Sequence, residues 1–405
     1  MKIIISNGSF EVGGIESFIE ILANGITRRG HDVTILFTTN ILKSLYTRIS
    51  DKVNIIKLRG DLFSPNACIR KAIKIISALD ADILLLNSDL IIQSSLPYLP
   101  NRLIRMPVIH TITEDAFHNT LAHKDYWDKA IAVSPRIKTI AMNKVTGKEI
   151  AFIPHGINLS LFNPINSDKL NTSNIILYAG RLLNEAKGIF DLPQILLHLV
   201  KDGLAVKMVL LGDGPDRTRC QDLFSSLGLR EYVEFRGDVS KTEVSEWMRK
   251  SACLILPSRY EGLGFVLLEA MACGCPPVVS LIPMVTDYVV DNNKAGILVA
   301  LGDIEGFAGA IKRLITEPEL REKMAVAGVN RVSRHFSADT MVDAYLNIFE
   351  RTINERAYLS IPDPKKIKYL PLGSELIPFP WVPRLLRGLW RKIPLNKMLR
   401  NLCHR

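Results

Sequence analysis

At 405 residues the chain exceeds one ordinary core, so two domains of about 150–200 residues each are expected. Its 47% apolar and 23% charged residues are the balance of a soluble globular protein, and no uninterrupted apolar run reaches membrane-spanning length. The formal charge of +10 is uneven, at +5 over residues 1–165, −3 over 166–358 and +8 over 359–405, so anionic partners should meet the first half and the tail. Nucleic acid is not among them, because the basic regions lack interleaved aromatics or a recognisable motif. The six cysteines show no metal or redox spacing, and Cys273-Gly-Cys275 is too short for a chelate or bridge. Met1-Lys-Ile-Ile-Ile-Ser6 reads as a strand and not a signal peptide, which makes a reduced, cytoplasmic protein the expectation.

Along the chain, Ile3–Ile5, Val33–Phe37, Ile83–Leu86, Val108–Ile109 and Ala130–Val133 read as short buried strands of a parallel sheet. Between the first two, Ile15, Phe18, Ile19, Leu22, Ala23 and Ile26 recur on one helical face. Ser64-Pro65 reads as an N-cap with proline at the first helical position, opening a helix with Ile69, Ala72, Ile73 and Ile76 inward. A segment of Asn, Pro, Ser and Gly at 154–173 is the expected linker. The alternation then repeats, with strands at Ile175–Tyr178, Val206–Leu211, Tyr232–Phe235, Leu254–Leu256 and Pro277–Ser280. Helices are expected at 188–201, 216–227, 241–250, 303–315, 318–334 and 338–356. Two such series mean two doubly wound α/β domains, whose ligands bind beyond the carboxyl ends of the strands.

The most informative segment is Ser258-Arg-Tyr-Glu261-Gly-Leu-Gly264-Phe265-Val-Leu-Leu-Glu269. It follows a buried strand, and Gly262 and Gly264 open a helix with Glu269 about one turn inside. Such a junction offers unpaired backbone N–H groups, those at Gly264 and Phe265 included, at the positive end of a helix dipole. Two carboxylates flanking it are acceptors for hydroxyl groups. Phosphate and several hydroxyls together describe a nucleotide sugar. Upstream, Gly180-Arg181 to Lys187-Gly188 places two cations six residues apart at a strand's carboxyl end, where they can clamp a diphosphate.

Glu261 and Glu269 match the E-x7-E motif of the retaining glycosyltransferases of family 4 (glycosyl transferases group 1), and the resemblance covers roughly residues 1–356. It implies the GT-B fold, two Rossmann-like domains facing each other across a cleft. The expected division is an acceptor domain at 1–160, a nucleotide-sugar domain at 161–340, a closing helix at 341–358 that crosses to the first domain, and a basic amphipathic tail at 359–405. Arg181 and Lys187 match the family's R-x5-K, whose cations hold the distal phosphate. Glu269 is implied on the ribose hydroxyls and Glu261 beside the sugar as an orienting or charge-stabilising carboxylate. Gly13-Gly14 falls in the loop that approaches donor phosphate and acceptor, with Glu16 just inside the helix. His110 matches a histidine that faces the donor sugar, and here Thr111 replaces the acidic residue that often follows, with Glu114 and Asp115 displaced. Phe235 to Val239 resembles a strand end whose backbone near Val239 meets the base, and Leu211-Gly-Asp-Gly-Pro215 resembles the "GdGp" loop. In the element that resembles "PNGvD", His155 and Asn158 replace Asn and Asp, so neither receives a ligand contact.

These residues imply a retaining transfer of a sugar from a nucleoside diphosphate to an acceptor hydroxyl, in surface polysaccharide or lipid-linked glycan synthesis. The resemblance leaves two alternatives open: a nucleotide-sugar epimerase of the same fold, and a catalytically silent partner protein at the membrane. Neither a metal nor another cofactor is expected. Asp80-Ala-Asp82 precedes its strand and reads as a helix-to-strand turn, while Arg181, Lys187 and helix N-termini supply positive charge. In the tail, Leu385, Leu386, Leu389, Trp390 and Ile393 share one helical face beside Arg384, Arg387, Arg391 and Lys392, and Pro394 breaks the run. Such a stripe suits an anionic membrane surface, making the protein peripheral on the cytoplasmic face, or else packs on the first domain.

Overall fold

The computed structural model describes residues 1–8, 13–39, 47–58, 64–87, 89–121, 123–164, 173–291 and 293–356. The tail at 359–405, with its expected amphipathic stripe, lies outside the described residues. The described residues divide into two units, one within 1–133, 137–153 and 342–356, the other within 134–136 and 154–341.

In unit 1 a seven-stranded parallel sheet forms from β1 (Lys2–Asn7), β2 (Asp32–Phe37), β3 (Asn54–Lys57), β4 (Ile83–Asn87), β5 (Ile104–Ile109), β6 (Ala130–Ala132) and β7 (Ile150–Phe152). The spatial order is β3-β2-β1-β4-β5-β6-β7, so the winding reverses between β1 and β4. Residues of β4 and β5 are buried throughout, as a sheet covered by helices on both faces requires. Helix α1 (Gly14–Arg28) packs Phe18, Ile19, Leu22, Ala23 and Ile26 inward with no exposure. Ser64 caps α2 (Pro65–Leu79) by accepting from Ala67 N at 3.4 Å, with Pro65 at the first position as the sequence predicts. Asp80 ends that helix in the left-handed region (φ 50°), and Asp82 Oδ2 accepts from Lys2 N at 2.8 Å. The Asp80–Asp82 pair is therefore a turn at the amino edge of β4. Short α3 (Leu90–Ser95), α4 (Glu114–Leu121) and α5 (Pro135–Lys144) complete the connections.

Unit 2 has a six-stranded parallel sheet of β8 (Ile175–Ala179), β9 (Lys207–Leu211), β10 (Val233–Gly237), β11 (Cys253–Leu256), β12 (Pro277–Ser280) and β13 (Ile297–Val299). Its order is β10-β9-β8-β11-β12-β13, reversing between β8 and β11. The helices are α6 (Asn184–Lys187), α7 (Leu192–Lys201), α8 (Arg217–Ser226), α9 (Lys241–Lys250), α10 (Phe265–Ala272), α11 (Thr286–Val290), α12 (Ile304–Thr316) and α13 (Pro318–His335). The segment at 154–164, read from sequence as part of the linker, is fastened to unit 2. Ile157 N donates to Phe336 O at 2.9 Å, and a Cβ on Gly156 would lie 2.3 Å from Ser337 O. A final helix, α14 (Ala338–Glu355), starts in unit 2 and continues into unit 1. In unit 1 it meets α1 closely enough that a Cβ on Gly25 would lie 2.4 Å from Val342 Cγ2. Near its end Lys129, almost fully buried, pairs with Glu149 at 2.7 Å and with Glu355 at 2.6 Å. Among the described residues no helix is long and apolar enough to cross a membrane.

Candidate active site

Ligands of open α/β sheets lie beyond the strands' carboxyl ends where the winding reverses. In unit 2 those ends are Gly180-Arg181 after β8 and Pro257-Ser258 after β11. The two loops touch because Gly188 takes φ +62°, and a Cβ there would lie 2.1 Å from Pro257 O. Arg259 N then donates to Ala186 O at 2.9 Å, and the Arg259 side chain reaches Asn184 O and Asp191. This seam carries the lysine to the carboxylate. Lys187 Nζ lies 2.7 Å from Glu261 Oε1, which also accepts from Ser258 Oγ at 2.8 Å. Glu261 is only 8% exposed, and two donors on one oxygen compensate its burial. An ammonium has three donors, so one spent on Glu261 leaves two for phosphate oxygens.

The loop after β9 braces the other side of Arg181. Gly212 takes φ +118° and sits where a Cβ would be 2.2 Å from Gly180 O. Leu182 N donates to Asp213 O at 2.9 Å, Asp216 N to Leu182 O at 3.1 Å, and Asn184 N to Asp216 Oδ2 at 2.7 Å. From below, Tyr178 Oη donates to Arg181 O at 2.9 Å. The Arg181 backbone is thus fixed while its side chain is exposed. Gly212 N donates to Gly237 O at 2.7 Å, which joins the loop before Val239 to the same edge; Val239 is half-buried against the unit 2 core.

Gly264 caps α10 in the left-handed region (φ 91°), and a Cβ there would come within 3.9 Å of Glu261 Oε2. The Glu261 carboxylate therefore stands near the N-terminus of α10, where the first turn's N–H groups have no intrahelical acceptor. Phe265 opens the helix and stacks on His155, with ring centroids 4.5 Å apart. Glu269 lies one turn further on. Burial raises its carboxyl to about 7, against the opposing pull of Lys241.

In unit 1 the corresponding ends are Asn7 and Asn87, with His110 just past β5. His110 is buried, its Nε2 lies 2.8 Å from Asn87 Oδ1, and Phe18 meets its ring edge-on at 5.1 Å. Burial pushes the imidazole down to about 3, so it is neutral at physiological pH. Gly13 is extended (φ −179°), so its dihedral suits any residue, but a Cβ would lie 2.7 Å from Glu16 Oε2. Gly14 is exposed and opens α1. The side chains of Glu114 and Asp115 lie outside the described residues.

The structure thus joins Glu261, Lys187 and Gly264 directly, and sets Arg181, Val239 and Glu269 on the same edge or just behind it. It adds Ser258, Asp216 and Tyr178 as supports, and Asn87 as the partner of His110. The signal for Asn87 was present, since it is the polar end of the otherwise apolar Ile83-Leu-Leu-Leu-Asn87. Among the described residues no three His, Cys, Asp or Glu side chains gather in a group that could hold a metal ion.

Two family models match: Glycosyltransferase Family 4 over residues 12–161 and Glycosyl transferases group 1 over residues 162–331. The lipopolysaccharide core biosynthesis glycosyltransferase LpsD of Rhizobium meliloti (strain 1021) is 32% identical over 161 residues, 40% of this chain and 46% of LpsD. The chain spans about half the length of the curated relatives it matches. Among solved structures, Staphylococcus aureus TarM superposes with a TM-score of 0.74 at 13% identity, covering 86% of this chain and 98% of TarM. HepE of Anabaena, solved in complex with UDP and glucose, gives 0.71 at 18%, covering 87% of this chain and all (100%) of HepE. With two models spanning 12–331 between them and two doubly wound units of the GT-B type, the chain belongs to the family 4, group 1 glycosyltransferases.

Proposed function

We propose that the chain is a retaining glycosyltransferase that moves a sugar from a nucleoside diphosphate to an acceptor hydroxyl without a metal ion, in the synthesis of a surface polysaccharide or lipid-linked glycan. The observation that carries this reading is the Lys187–Glu261 contact near the N-terminus of α10, with Arg181 held exposed alongside. Lys187 and Arg181 bind the diphosphate and stabilise the charge that builds on it as the glycosidic bond breaks. Glu269 accepts from the ribose hydroxyls. Glu261, its charge balanced by Lys187, orients the sugar and stabilises an oxocarbenium-like centre. The acceptor attacks on the face that the diphosphate leaves, and the departing phosphate takes its proton. His110 and the Gly13-Gly14 loop keep the roles that the family resemblance implies for them. The structure of HepE with UDP and glucose favours a donor of this class. The basic stripe at 384–393 serves to hold the protein on an anionic membrane beside a lipid-linked acceptor.

The test is to incubate the full chain with UDP-, GDP- and ADP-sugars, with and without saccharide and lipid-linked acceptors, in EDTA. The anomer of the product is then read by NMR. Acceptor-dependent product with retained configuration in EDTA is expected. Activity that vanishes in EDTA and returns with Mn²⁺ contradicts metal independence, and epimerised donor without acceptor contradicts transfer. Flotation with anionic liposomes that survives Arg384, Arg387 and Arg391→Glu contradicts the role given to the tail.

A further inference from the structure

Asn87 ends β4 with no exposed surface. One atom of its side-chain amide lies 3.0 Å from the carbonyl oxygen of Ser6, and the other lies 2.8 Å from His110 Nε2. A carbonyl oxygen only accepts, so the amide atom facing Ser6 must be the nitrogen, and Oδ1 must face His110. This settles an orientation that electron count alone leaves open. Oδ1 only accepts as well, so His110 Nε2 must carry a hydrogen. Desolvation pushes the imidazole down to about 3, so at physiological pH the ring holds one hydrogen, and it sits on Nε2. Nδ1 then bears the lone pair. Phe18, packed on Tyr345 at 5.6 Å, fixes the ring plane from α1.

We propose that Asn87 is a positioning residue that locks His110 as the neutral tautomer with hydrogen on Nε2, leaving Nδ1 the acceptor nitrogen. The inference rests on the reading of His110 as a site residue. Under it, His110 neither hands a proton to a leaving group nor sets a positive charge beside the sugar. Any group that bonds Nδ1 must bring its own hydrogen. A sugar hydroxyl qualifies, whereas a phosphate oxygen or the carboxylate of a sugar acid does not.

The experiment is long-range ¹⁵N–¹H correlation on the full chain labelled with [¹⁵N]histidine, with His110 assigned by its loss in His110→Gln. In the wild type, Nδ1 should report as unprotonated and Nε2 as protonated, with neither moving between pH 8 and 5.5. In Asn87→Leu, which keeps the number and branching of the heavy atoms and removes both hydrogen bonds, the two signals should move toward each other. The variant's kcat should fall about three- to tenfold, the worth of one oriented hydrogen bond, with donor KM little changed. Asn87→Asp supplies a rescue. Its protonated acid can donate to Ser6 and accept from Nε2 as the amide does, so activity should recover on the acid side and fall as pH rises. A wild-type signal of imidazolium, or of hydrogen on Nδ1, overturns the inference, as does wild-type kcat in Asn87→Leu. The expected spectra without transfer by the wild type would leave Asn87's role standing and count against the proposed reaction instead.

Discussion

Both units wind their sheets alike, with each unit's first strand lying between its second and fourth, yet their carboxyl edges carry different chemistry. Unit 2 meets that edge with paired charge: Lys187 against Glu261, Arg259 against Asp191, and Arg217 against Asp213. Its loops are bolted together through glycines that admit a carbonyl oxygen where a Cβ would stand. Among its described residues, unit 1 presents Ser6, Asn87 and a neutral His110 there. An anion such as a diphosphate needs fixed positive charge, and holding that charge needs a rigid loop. A neutral, hydroxyl-rich partner needs hydrogen bonds of defined polarity. On the proposed reading, one winding serves two tasks through the residues that follow its strands.

The sharpest way to break this contrast is to remove charge from unit 2 while keeping shape. Glu261→Gln should fold and bind nucleoside diphosphate, yet turn over roughly a hundredfold more slowly, because the lost charge acts on the developing cation. Steady-state kinetics beside calorimetric nucleotide binding would check it. Wild-type turnover in the variant would remove Glu261 from the reaction.

The second comparison tests loop rigidity. Gly188 and Gly147 have similar left-handed backbones (φ +62° and +73°), but a Cβ at 188 meets Pro257 O at 2.1 Å while one at 147 meets nothing within 4 Å. Gly147→Ala should therefore cost only the backbone strain, about 1 kcal/mol. Gly188→Ala should cost about 3 kcal/mol and weaken nucleotide binding, since the seam between two loops must open. Denaturant titration of both variants reads the difference, and equal losses would mean that the close approach carries no weight.

The smallest expected effect concerns pH. Glu269 is raised to about 7 in the folded chain, above its unfolded value of 4.5, so the folded state holds the extra proton between those values. Its contribution to stability is full below the unfolded value and lost as pH rises through 7. Ribose hydroxyls donate to the ionised carboxylate, so nucleotide affinity should rise roughly tenfold from pH 6 to 8. Glu269→Gln should flatten both profiles. His110 adds no limb in this range, because it is neutral throughout.

Most of the architecture was legible in the sequence because the central strands are continuous apolar runs, the longer helices carry an apolar face and some of them are capped. Ser240, for example, accepts from Glu243 N at 3.2 Å at the start of α9. The strands that escaped were β3, β7 and β13, three edge strands of three or four residues. An edge strand is too short and too exposed to show a buried run. At the candidate site, Glu261, Glu269, Arg181 and Lys187 stand out in the sequence through the E-x7-E and R-x5-K spacings. The contact between Lys187 and Glu261, 74 residues apart in sequence, was not, because it depends on a close approach that only Gly188 permits. The pairing of Asn87 with His110 was hidden for a related reason: it needs β4 and β5 side by side, which no local pattern states.

The most direct measurement is isothermal titration of the full chain with UDP, GDP and ADP, in the wild type and in Lys187→Ala. One of the three should bind the wild type. In the variant its Kd should rise roughly ten- to a hundredfold, the worth of a charge-assisted hydrogen bond to the diphosphate. No binding of any nucleotide to the wild type, or equal affinity in the two proteins, would contradict the assignment of this edge of unit 2 as the donor site.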